Sequence, residues 1–183
     1  MLLLGCKPAG RHTEQHDVLF TIAENLAAAI PDIKSFWPDA GVIHVDAWRE
    51  ITALEGFDIS VQLKEKKTPH DNDSNQLFFL NLGGYKKDEF EEFHYKMLAV
   101  AENKSIAIKQ AKATAFYKHT GFKGAASHID DKYGVDVDDV YEIKEILPEW
   151  IRNKYSLDIR PTKGNVPDAW HLGYLPISKI KKK

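Results

Sequence analysis

Two apolar runs, Leu2 to Leu4 and Leu77 to Leu82, each stop at a glycine, Gly5 and Gly83. Short runs of this kind are what buried strands look like in sequence. Downstream of the first, Val18, Leu19, Ile22, Ala23, Leu26, Ile30 and Ile33 recur at spacings of three and four. Downstream of the second, Phe90, Phe93, Met97, Ala101, Ile108 and Ala111 do the same. That period predicts a long amphipathic helix in each place. Asp88, Glu89, Glu91 and Glu92 would open the second helix, and Lys109, Lys112 and Lys118 would lie near its end, as the helix dipole favours. Further on, Phe57, Ile59, Val61 and Leu63 alternate with Asp58, Ser60, Gln62 and Lys64. This predicts a strand with one buried face, the second arm of a hairpin, with Gly56 in the connection before it.

The two patterns are copies of one another. A displacement of 78 aligns residues 2–34 with 80–112 at 11 identities, among them Gly5/Gly83, Glu14/Glu92, His16/His94 and Asn25/Asn103. Roughly two would arise by chance at average composition. Beyond the helices a displacement of 84 pairs His44-Val45-Asp46 with His128-Ile129-Asp130, and Phe57-Asp58-Ile59 with Tyr141-Glu142-Ile143. The expectation is an α/β (α+β) protein made of two repeated β-α-β-β units, residues 1–65 and 77–147. The polar stretch 66–76 is the linker, and 148–183 is a C-terminal extension with a basic tail. Each unit would carry a right-handed crossover between parallel strands. Together they would form a mixed sheet with the long helices mainly on one face.

Composition narrows the function classes. Of 183 residues, 43% are hydrophobic and 28% charged, which suits a folded core. A formal charge of −2 supplies no field for nucleic acid. No run approaches the roughly 20 apolar residues of a membrane helix. The single cysteine, Cys6, allows no intrachain disulfide and favours a reducing, cytoplasmic setting. Gly84 replaces it in the second copy, so Cys6 reads as a small buried residue before a nucleophile.

The polar residues kept in both copies are the candidates for chemistry. His44 and Asp46 lie two apart on a strand and share a face, as would His128 and Asp130. A carboxylate beside an imidazole suits a general base, a metal ligand or a structural pair, and the structural pair is the expectation. Each histidine is expected to hydrogen-bond within its own unit. Glu14 and His16, with Glu92 and His94, precede or open the predicted helices. With His44 and Asp46 they could offer up to four nitrogen and oxygen ligands. No Cys-x-x-Cys or His-Glu-x-x-His spacing accompanies them, so no metal is assigned. Asn25 and Asn103 would sit mid-helix, satisfying a neighbouring loop or facing a ligand. Residues 5–13, GCKPAGRHT, miss the phosphate-loop pattern, because Arg11 and His12 replace its lysine and hydroxyl. Anion binding by Lys7, Arg11 and His12 at the start of the helix is the weaker alternative that remains.

Gly10-Arg11, Glu14-Gln15-His16-Asp17-Val18, Phe36-Trp37-Pro38 and His44-Val45-Asp46-Ala47-Trp48 together resemble DUF1543, a small bacterial family of uncharacterised proteins. Its domain occurs in one or two copies per chain. The resemblance is close from Leu2 to Ile51 and looser in the second copy. It implies a bacterial cytoplasmic setting and the two-copy architecture, and brings no activity, substrate or cofactor. The expected function is a small-ligand binding or interaction module. The alternative is an enzyme acting on a small polar or phosphorylated substrate through the repeated Glu/His/Asn/His/Asp cluster. The expected partners are a small anionic ligand and a second copy of the chain, with no nucleic acid, membrane or cofactor.

Overall fold

The computed structural model describes residues 1–64, 75–85, 88–113 and 135–181. Its strands are β1 (Leu2–Cys6), β2 (Gln15–Leu19), β3 (Ile43–Trp48), β4 (Ala53–Leu54), β5 (Phe57–Leu63), β6 (Gln76–Tyr85), β7 (Glu92–Ala101), β8 (Val135–Glu142), β9 (Tyr155–Pro161) and β10 (His171–Pro176). Its α-helices are α1 (Ile30–Phe36), α2 (Lys104–Lys112), α3 (Ile143–Ile146) and α4 (Glu149–Lys154). The strands form three antiparallel sheets, in the orders β10-β3-β1-β2, β4-β5-β9 and β7-β6-β8.

The α+β character holds, but the expected units do not. Both halves run strand, strand, helix, strand, with no parallel crossover among the described residues. Two strands, β2 and β7, occupy the first part of each predicted long helix, and the helices that follow span only 7 and 9 residues. The reason is visible in β7. Its second half is apolar on both faces, with Leu98 and Val100 in one core and Ala99 and Ala101 in another. A strand covered on both sides loses its period of two, and a helical period can then be drawn through it. The expected hairpin of β3 and β5 is also absent, since β3 lies in the first sheet and β5 pairs with β9. The tight turn is instead between β4 and β5, where Glu55 and Gly56 take positive φ of 43° and 85°. Positive φ at both central residues suits a right-twisted hairpin.

In each half the central strand is flanked by the other two, as β2-β1-β3 and β7-β6-β8. One face of the first sheet packs Leu2, Leu4, Cys6, Ile43 and Val45 against Ala29 and Ile33 of the α1 region. One face of the second packs Phe78, Leu80, Leu82, Ala99 and Ala101 against Ala107 and Ala111 of α2. A third core joins everything. It gathers Phe20, Leu77, Phe79, Leu98 and Val100 with Ile59 and Ile159 of the third sheet and Ile143, Leu147 and Ile151 of the α3–α4 region. Phe20 and Phe79 meet there with ring centroids 5.3 Å apart.

The C-terminal extension is woven into the first half. β9 completes the third sheet on β5, and β10 adds to the first sheet on β3. The Asp168 carboxylate accepts from the Thr52 amide at 2.8 Å and hydroxyl at 2.5 Å, and from the Ala53 amide at 3.0 Å. Burial raises the Asp168 pKa, but the Thr52 and Ala53 hydrogen bonds and the Arg49 charge outweigh it and hold it below the usual carboxylate value. Among the described residues no helix is long and apolar enough to cross a membrane.

Candidate functional site

Gly5 sits mid-sheet on β1, with His16 of β2 opposite on one side and His44 of β3 opposite on the other. Directly opposed residues point to the same face. A bulge after Val45 re-aims Asp46 towards the same spot, and Glu14 reaches it from just before β2. Four side chains therefore converge over the bare backbone of Gly5. A Cβ on Gly5 would lie less than 3.0 Å from both His44 Nε2 and Asp46 Oδ2, so these groups occupy the space a side chain would need.

The distances are short and the hydrogen bonding is poor. His44 Nε2 lies 3.0 Å from Glu14 Oε1 and 3.2 Å from Asp46 Oδ1. His16 Nε2 lies 3.2 Å from Asp46 Oδ2 and 3.7 Å from Glu14 Oε2. His44 is only 5% exposed. Yet its Nε2 and Asp46 Oδ2 are buried without a hydrogen bond of acceptable angle. The expectation that His44 is a satisfied hydrogen-bonded histidine is thus corrected: its partners are close but not aligned. Buried polar atoms normally find partners, so such a pair calls for an explanation. Glu14 and His16 are about half exposed, which leaves the cluster open to solvent on one side. The other side is roofed by β10, whose Tyr174 ring lies 4.4 Å from the His44 ring at 40°. Next to it, His171 stacks on Trp48 at 3.8 Å and 7°, and the Arg49 guanidinium sits 4.4 Å over Trp170.

The second half repeats this arrangement with fewer imidazoles. His94 of β7 stands opposite Gly83, with Glu92 two residues before it. Asp138 follows Val137 at a bulge of β8, as Asp46 follows Val45 on β3. His94 Nε2 is 3.4 Å from Asp138 Oδ2 and 3.9 Å from Glu92 Oε2. Donor atoms of all three lie within 4.8 Å of one another. A Cβ on Gly83 would come 2.9 Å from Asp138 Cγ. The register position of His44 is held here by Asp136.

The displacement after the helices is therefore 92 rather than 84, and the counterpart of Asp46 is Asp138. His128 and Asp130 lie outside the described residues. Asp138 was readable in principle. Val137-Asp138 repeats Val45-Asp46 within the alternating stretch Val135-Asp136-Val137-Asp138, but the ungapped match of His128-Ile129-Asp130 is the more conspicuous. Tyr174 and His171 carry no such signal, because β10 has no counterpart in the second half among the described residues.

The remaining candidates stand elsewhere. Asn103 is the N-cap of α2, its side-chain oxygen accepting from the Ile106 amide at 3.0 Å. Asn25 accepts from the Ala28 amide at 3.0 Å in the turn leading to α1. Neither is mid-helix; both serve local backbone. Lys7 and Arg11 are exposed in the connection between β1 and β2. No helix starts there, so the helix terminus on which anion binding was expected to rest is absent. Cys6 is fully buried; burial first, and the Glu14 charge second, push its thiol pKa up.

The whole fold is similar to a solved structure described as a protein Il1583 from Idiomarina loihiensis, with a TM-score of 0.59 over 96% of this chain and 94% of that one. At 17% identity the likeness concerns the fold alone. No curated protein matches the chain. Residues 11–61, which carry Glu14, His16, His44 and Asp46, match the family model of DUF1543, a domain of unknown function, as the sequence motifs anticipated.

Proposed function

We propose that this protein binds a divalent transition-metal ion through Glu14, His16, His44 and Asp46. The observation that carries the reading is His44 Nε2, buried and without a hydrogen bond while two carboxylate oxygens lie at 3.0 and 3.2 Å. A metal ion held among these groups would give that nitrogen the partner it lacks. Zinc bonds nitrogen and oxygen at about 2.0–2.2 Å, so tetrahedral ligands stand roughly 3.3 Å apart. The N···O separations here run from 3.0 to 3.7 Å. Two imidazoles and two carboxylates suit zinc and its neighbours iron, cobalt and manganese. The solvent-facing side leaves room for an anionic group as a further ligand, which accommodates the small anionic ligand expected from the sequence. The protein is read as a binding module, and no turnover is proposed.

The Glu-x-His pattern shared by Glu14 and His16 with Glu92 and His94 favours placing the site in the fold rather than in one loop. Tyr95 stands opposite Leu82 as Asp17 stands opposite Leu4. Across the interface Asp17 raises the pKa of Tyr141, after the larger effects of Asp139 and burial. Reciprocally, burial lowers the pKa of Arg49, and Tyr95 raises it after the larger effect of Asp168. Arg49 follows Trp48, opposite Leu2, as Tyr141 follows Val140, opposite Leu80. An approximate two-fold axis between the halves would set equivalent positions against one another in this way.

The test is calorimetric titration of the metal-stripped full chain with zinc, beside His44→Ala and Glu14→Gln. A tight step in the parent that both variants lose supports the reading. Titration without such a step, or a tight step that survives both substitutions, removes it.

A further inference from the structure

The second half holds a three-donor cluster in the same place on its sheet. We infer that Glu92, His94 and Asp138 form a second, weaker divalent-cation site with a preference shifted towards oxygen-loving ions such as manganese. The inference goes beyond the proposed site, uses none of its residues, and rests on the first site for its geometric precedent.

Three observations converge. The donors come together from two strands, β7 and β8, with donor atoms within 4.8 Å of one another. A chance surface cluster does not need a bare backbone beneath it. Asp138 packs so closely over Gly83 that a Cβ there would meet all three of its carboxyl atoms below 3.0 Å. Finally, Glu92, His94, Gly83 and Asp138 hold the positions of Glu14, His16, Gly5 and Asp46, and the residue at the fourth position is an aspartate instead of the buried imidazole of His44. The built feature of the first site that most favours zinc is the one changed here.

Ligand chemistry gives the consequence. Imidazole suits zinc and copper, whereas carboxylate and water suit manganese, magnesium and calcium. Losing one imidazole lowers affinity for zinc more than for manganese. His94 and Glu92 are also more than a third exposed, so water completes the shell. An open shell binds more loosely than the half-roofed cluster of the first half.

The experiment is zinc titration of the metal-stripped full chain, followed by manganese competition, with His94→Ala and Asp138→Asn set beside His44→Ala. Asp138→Asn keeps the side-chain volume, and far-ultraviolet dichroism checks that each variant is folded. The expected result is a second step at least roughly 10–100-fold weaker than the first, on the scale of a lost ligand support. That step vanishes in His94→Ala and Asp138→Asn while the first persists. In His44→Ala the first vanishes and the second persists. Manganese displaces zinc from the second step at a lower excess than from the first. A single step in the parent, or a second step unchanged by both substitutions, overturns the second site. Equal manganese competition at both steps overturns its preference. A first step that survives His44→Ala, with the second still lost in His94→Ala and Asp138→Asn, would refute the proposed function and leave this site standing.

Discussion

Gly5 lies beneath the imidazole of His44, close enough that any β-carbon would collide with its Nε2. A residue with no side chain thus sets the position of the sheet's most buried polar ring. Gly5→Ala must push His44 and Asp46 outwards into the roof formed by β10. Overpacking of this kind costs about 1–3 kcal/mol. The melting temperature should fall at about 2–4 °C per kcal/mol, and zinc affinity should fall with it. Thermal melts with and without zinc check both; an alanine variant that melts and binds like the parent contradicts the geometry.

Zinc should stabilise the parent chain. A ligand at about 100 times its dissociation constant adds about 2.7 kcal/mol. For a chain of 183 residues that is a rise of roughly 5–11 °C. The rise should shrink as pH drops through the range where imidazole takes a proton, because the metal and the proton compete for the same nitrogen. Melts in zinc at several pH values measure it.

Asn103→Ala should cost about 1 kcal/mol by removing the cap from α2. It should not alter zinc binding, since the Asn103 side-chain oxygen is used by Ile106. Asn25→Ala should likewise leave zinc binding intact. Loss of binding in either variant would show that these amides do face the ligand.

Asp168→Asn should weaken the tie between the C-terminal segment and β4. Its folded pKa is below the unfolded value, so its contribution is present above the unfolded pKa and lost as pH falls through the folded one. The variant should therefore be less stable than the parent near pH 7, by about 1–3 kcal/mol for hydrogen bonds to a charged group. The gap should close in acid. Urea melts at pH 7 and pH 3 compare the two; an unchanged gap at pH 3 speaks against the ionised clamp.

Cys6 should be unreactive. Its thiol is buried and its pKa raised, so little thiolate forms at neutral pH. A disulfide reagent should label it slowly in the folded chain and rapidly in denaturant. Fast labelling of the folded chain would contradict this.

Residues whose role is local were legible in the sequence. The strands β1 and β6 were marked by their apolar runs, and β5 by its alternation. Within the site, Glu14, His16, His44, Asp46, Glu92 and His94 stood out because both copies kept a partner or a pattern. What escaped was non-local. β7 lost its period because two cores claim its faces, so it read as helix. The partners of β9 and β10 escaped too: these strands pair with β5 and β3 by backbone hydrogen bonds, which leave no record of the partner in the side chains. Asp138 escaped because the displacement between the halves changes from 78 to 92 between α2 and β8, and the ungapped His-x-Asp match of His128 and Asp130 drew the alignment to 84.

The return of β9 and β10 to the first half means that the covalent link between the halves is not what fastens them. Cut between Lys64 and Asn75, the chain would fall into two fragments, and the C-terminal one would still own two strands seated in sheets of the other. A nicked molecule should therefore run as one body on a sizing column and come apart only under denaturant. If the halves began as a doubled gene, that interlocking strap is also what would now keep either copy from going its separate way.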